Sequence, residues 1–127
     1  MQIHFYISEH ASAGNRLKSI LQQFVHICPF TEHKSTDTFG KVLLEPYNDT
    51  AIAVVMVAGK DELRLLAQSK MTWERFKTIL VLPEESSSMI DLCRQLRPIY
   101  ITDPGRDLQV VADILAHISR KQDLLLN

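Results

Sequence analysis

The chain has 127 residues, 46% of them hydrophobic, which is enough to bury one core and too few for a second, so a single domain over 1–127 is expected. Its 14 Lys and Arg against 15 Asp and Glu give a formal charge of -1, which leaves no overall basic field to hold a nucleic-acid backbone or an anionic membrane surface. Cys28 and Cys93 lack a CxxC spacing, and the sequence carries neither an export signal nor an apolar run approaching roughly 20 residues, so a cytoplasmic protein with buried thiols is expected.

Ile3, Phe5 and Ile7 alternate with other residues and predict a first strand, closed by Ser8 and Glu9. Leu17, Ile20, Leu21, Phe24 and Val25 recur at three- and four-residue steps, which predicts a helix starting near Ala11 or Ser12 with Ser12 as its N-cap. A weak second strand is read over His26 to Phe30 and a modest helix over Ser35 to Leu44, ended by Pro46 and the turn formers Tyr47, Asn48 and Asp49. Ala51 to Val57 is continuously apolar and rich in β-branched residues, as in a strand covered on both faces; it is read as the central strand. A covering helix is expected over Asp61 to Phe76, with Leu63, Leu66, Trp73 and Phe76 as its apolar positions. Thr78 to Leu82 is a second buried strand stopped by Pro83, and a short helix over Met89 to Leu96 follows, closed by Arg97 and Pro98. Ile99 to Thr102 is the fifth strand, and Leu108, Val111, Leu115 and Ile118 mark a last amphipathic helix before a short tail.

Five strands alternating with helices in so short a chain predict a three-layer αβα, flavodoxin-like (βα)5 domain with a five-stranded parallel sheet, built by right-handed crossovers. Such sheets carry their chemistry just beyond the carboxyl ends of the strands.

At the end of the fifth strand, Ile99 to Leu108 (IYITDPGRDL) resembles the last strand and turn of response-regulator receiver domains, in which an aromatic residue precedes a Lys-Pro pair by three. Tyr100 falls on the aromatic switch position, Asp103 on the lysine, Pro104 on the proline, and Asp107 and Leu108 on the start of the last helix. By element order the resemblance covers the whole chain. Receivers take phosphate on an aspartate ending the third strand, beside an acidic pair after the first strand that holds Mg²⁺. That chemistry needs hard oxygen ligands and a lysine to offset developing charge. Here the acidic pair becomes Ser8 and Glu9, the acceptor position falls near Val54 (Val55 or Met56 if the register slips), the fourth-strand hydroxyl falls on Leu82 or Pro83, and the lysine becomes Asp103. The resemblance therefore implies a degenerate pseudo-receiver of bacterial two-component signalling, not an enzyme, that works through protein contacts without phosphorylation.

Other features of the sequence admit other readings. Glu9 and Asp103, expected near each other, form either a cation-binding pair or a solvated acidic rim. The loop Ser8 to Asn15 is similar to the phosphate loop of flavodoxins, which implies FMN or a nucleotide as the alternative ligand; against it stand Glu9 inside the loop and the lack of loop aromatics to sandwich a flavin. His4, His10, His26, His33 and His117 show no HxH or HxxxH spacing, so no metal site is expected. His10 adjoins the expected cleft, but no nucleophile stands in a recognisable setting beside it. On the last helix Val110, Ile114 and His117 form a second stripe beside the core-facing one. In receivers the face built from the last strand and its flanking helices makes dimers or contacts partners, which implies a partner surface at Tyr100, Val110, Ile114 and His117, or a homodimer through the last helix; the alternative is that the stripe packs under a neighbouring segment.

Overall fold

A computed structural model describes residues 2–8, 11, 13–22, 30–33, 39, 51–68, 77–83, 87–105 and 108–126. Its described strands are β1 (Gln2–Ile7), β2 (Phe30–His33), β3 (Ala51–Met56), β4 (Lys77–Val81) and β5 (Tyr100–Thr102). They form one sheet in the order β2-β1-β3-β4-β5, and every pairing is parallel. The described helices are α1 (Gly14–Leu21), α2 (Lys60–Gln68), α3 (Ser87–Cys93), extended by a 3-10 turn over Arg94–Leu96, and α4 (Gln109–Leu126).

The period-two geometry of a strand sends alternate side chains to opposite faces, and the two cores follow from it directly. Ile3, Phe5 and Ile7 of β1 join Val54 and Val81 under α1 and α4, where Leu17, Val111 and Leu115 meet them. Tyr6, Ala53, Val55 and Leu80 face the other way, under α2 and α3, with Leu63, Leu66, Met89 and Cys93. Central strands β3 and β4 feed both cores, so β3 is apolar at every position and β4 from Ile79 onward; this is why AIAVVMV reads as an unbroken run.

Several boundaries differ from the sequence reading. The described second strand begins at Phe30, where the expected one ended, and residues 26–29 lie outside the described residues. Pro29 has no N–H to give a ladder, and Thr31 and Glu32 are exposed on an edge strand, so no apolar pattern marks it. Helix α1 begins at Gly14 because the chain first makes two turns: Ala11 N–H donates to the Ser8 carbonyl at 3.0 Å, and Gly14 N–H to the Ala11 carbonyl at 3.1 Å. Its N-cap is Ala13, with no side-chain cap; Ser12 lies outside the described residues, as do Phe24 and Val25. Helix α2 is described only to Gln68, so Trp73 and Phe76 are also outside. Of the helix expected over Ser35 to Leu44, only Phe39 is described, and it is helical and fully buried. At the other end α4 continues through Leu126, so the expected tail is helix. Arg97, with φ 48°, ends the 3-10 turn in the left-handed region, which lets the chain reverse into Pro98 and β5. Among the described residues no helix is long and apolar enough to cross a membrane.

Candidate functional site

Strand order reverses direction between β1 and β3, and in open α/β sheets the crevice at that switch point is where ligands sit. A cleft of about 150 Å³ lies there, at the carboxyl edge of the sheet. Ala11 and Ala13 line it from the turn after β1, Met56 to Ala58 from the end of β3, Leu82 and Pro83 from the end of β4, and Pro104 from the turn after β5. Among the described residues the lining side chains are aliphatic, and none of these offers a nucleophile or a hard oxygen ligand. Among the described residues no three His, Cys, Asp or Glu side chains group as a metal set.

The expected pocket residues are distributed as follows. Leu82 lines the cleft. Ser8 sits beneath it, 3% exposed, its N–H donating to the Met56 carbonyl at 3.0 Å. Asp103 stands at the rim, where its Oδ1 accepts from Gly105 N–H at 2.8 Å. That bond folds Asp103-Pro104-Gly105 into an Asx-type turn, so this carboxylate oxygen is used by its own backbone. Glu9 and His10 lie outside the described residues. Val54 does not reach the cleft: it is buried inside β3, flanked by Phe5 and Ile79, two positions short of the strand end. Met56, the residue reached by a two-position slip of register, is the one whose side chain stands at the cleft.

Arg16 ties the rim together, donating from Nη2 to the Pro104 carbonyl at 3.3 Å and linking α1 to the turn after β5. Gly14 in the loop likened to a phosphate cradle has a packing role. A Cβ there would stand 2.9 Å from Ile7 Cγ2, so glycine is what lets α1 close down on β1.

A polar support beside the cleft was not foreseen. Glu62, in the first turn of α2, accepts from Ala58 N–H at 2.8 Å and from the Tyr6 hydroxyl. One carboxylate thus anchors the β3-α2 turn to β1, in the manner of an acidic residue reaching back to cap its own helix start. The signal available in sequence was Asp61-Glu62 directly after Gly59 and Lys60; nothing in the pattern tied it to Tyr6.

On the other side of the sheet edge, Tyr100 is half-buried and packs on the same cluster as Val110 and Ile114 of α4, while His117 is exposed. The stripe therefore grades from partly covered to open along the helix. Ile99, just before β5, is 50% exposed on the edge of the sheet.

Cys93 is fully buried against the α2 and α3 side, and burial pushes its thiol up to about 11. At pH 8 a shift of that size cuts the thiolate fraction about a hundredfold from the ordinary cysteine value. Iodoacetamide should therefore modify Cys93 at least about a hundredfold more slowly in native protein than in urea, followed by peptide mass mapping; equal rates would mean the thiol is accessible.

No family model matches this sequence, and no curated protein matches it. Solved structures do match its shape. Over 94% of each chain it superposes on the receiver domain FixJ-N with a TM-score of 0.61 at 13% identity. The fold is that of a receiver. A pilus assembly-related protein of Burkholderia pseudomallei is also similar, with a TM-score of 0.58 at 12% identity over 93% of this chain and 90% of that one. At such identities the likeness is one of fold, and what this receiver frame does has to be argued from its own residues.

Proposed function

We propose that this chain is a phosphorylation-independent pseudo-receiver, a protein-interaction module of two-component-type signalling. The observation that carries the reading is the lining of the cleft, where Met56, Val57, Leu82 and Pro83 stand at the strand ends that receivers use for acceptor, metal and hydroxyl chemistry. Phosphoryl transfer to a carboxylate needs an acceptor, a divalent ion and a cation to offset charge, and aliphatic side chains provide none of these. The likeness to FixJ-N supports placing the module in signalling. With no hydroxyl at Leu82 for Tyr100 to follow, its surface is fixed, and Tyr100, Val110, Ile114 and His117 present it to a signalling partner or a second copy.

Two measurements test this. Adding Mg²⁺ and beryllofluoride to labelled protein should leave its amide NMR spectrum unchanged; a Mg²⁺-dependent shift of Met56 and its neighbours would sink the reading. Affinity capture with mass spectrometry should recover a signalling protein, or light scattering a dimer, that Val110→Asp and Ile114→Asp both lose. Retention of the same partner and mass by both variants counts against this face.

A further inference from the structure

On the face of the sheet away from α1 and α4, two histidines are buried together. His4 in β1 and His33 at the end of β2 are each 6% exposed, and His4 Nδ1 lies 3.3 Å from His33 Nε2. Their rings are tilted by 36° with centroids 5.5 Å apart. Phe39 closes over them, edge-on to His33 at 5.5 Å and tilted against Tyr6 at 5.8 Å.

We propose that His4 and His33 form an acid-sensitive latch that fastens edge strand β2 to the sheet at neutral pH and releases it when both rings are protonated.

An N–H···N bond requires one donor and one acceptor nitrogen, which two neutral imidazoles provide and two imidazolium ions do not. A single added proton can be shared across the pair. A second places like charges 3.3 Å apart where little water screens them, so the pair takes up protons in two separate macroscopic steps. Burial acts in the same direction, holding the His33 pKa below its ordinary value.

Around the pair, among the described residues, β1 contributes Tyr6, and α2 contributes Glu62 beyond it, its carboxylate already engaged by the Tyr6 hydroxyl and Ala58 N–H. β3 contributes Ala53 and Val55 to this face, and Phe39 is uncharged. Glu32 of β2 pairs with Phe5 in register, so it points to the opposite face, where Lys18 holds it at 2.7 Å.

β2 is the element that would yield. It is four residues long, and among the described strands it pairs with β1 alone. Local opening is drawn from elements with the fewest partners, so the strand carrying His33 loosens before the central strands do. The sign follows from linkage: the folded state favours neutral rings, so the stabilisation is complete above about pH 6.5 and is lost as pH falls through the lowered steps.

The test is a histidine ring NMR titration of the intact protein from pH 8 to 4, with protection factors for residues 31–33 and 52–56 measured alongside. His4 and His33 should titrate as a coupled pair with one step at least about one unit below the ordinary histidine value of about 6.5. Between about pH 6.5 and that step, protection of residues 31–33 should fall by up to about tenfold per pH unit for one linked proton and level off below it, while residues 52–56 keep theirs. Independent titration of both rings near the ordinary histidine value, or unchanged protection in β2, overturns the latch. His33→Asn should abolish the acid dependence at β2, and its persistence would also overturn it; should that variant not fold, the wild-type titration decides alone. A nitrogen spacing near 3.3 Å also suits two ligands on one tetrahedral ion. If added Zn²⁺ protects both rings from titration and EDTA restores it, the pair serves a metal and the latch is refuted.

Discussion

Val54→Asp should destabilise the protein severely and still leave it unable to accept phosphate. Val54 is fully buried inside the central strand, between Phe5 on β1 and Ile79 on β4, with α1 and α4 packed over its side chain. A carboxylate there finds no cation and no room to reach water. Leaving an unpaired charge in such a site costs about 3–5 kcal/mol, against a total stability of roughly 5–15 kcal/mol for a domain. For a chain of this length that corresponds to a fall in Tm of roughly 15 °C or more. Met56 is nearly as buried as Val54, at 1% exposed, but it ends the strand and lines the cleft, so the carboxylate of Met56→Asp has the shorter way to solvent and should cost less. Thermal unfolding followed by circular dichroism checks both variants. Equal losses would show that position 56 is no closer to water than position 54, and with it that the cleft is misplaced.

Phe39→Ala should destabilise the protein by about 3–5 kcal/mol, the usual cost of removing a fully buried aromatic ring. Phe39 is 0% exposed and touches the rings of both Tyr6 and His33, contacts that add about 0.5–1.5 kcal/mol each beyond area burial. In urea the midpoint should fall with the slope unchanged, since the surface exposed on unfolding stays nearly the same. The variant also admits water to the histidines, so the His33 titration should move up toward the ordinary value. A loss below about 1 kcal/mol would remove Phe39 from the core and leave the latch without its cover.

How far the sequence carries depends on which physical constraint wrote each segment. The run from Ala51 to Val57 was legible because a parallel strand covered on both faces must be apolar at every position, and Leu108, Val111, Leu115 and Ile118 because a helix on a sheet must repeat its apolar residues. Phe30 to His33 was not, since an edge strand with Thr31 and Glu32 exposed is held by backbone pairing and leaves no periodic trace. The same distinction separates the site residues. Leu82 and Asp103 lie at strand ends that Pro83 and Pro104 mark in the sequence, whereas Val54 lies two positions inside β3, since a uniformly apolar strand shows no internal register.

Residue order alone thus determined the parallel α/β frame and the apolar run of its central strand, because these rest on composition and on periods within one segment. Which side chains meet was decided by the tertiary structure. Met56 at the cleft, Glu62 joined to Tyr6, and His4 against His33 across 29 positions of chain are all products of strand register and crossover, and no local pattern encodes a contact between elements that only the sheet brings together.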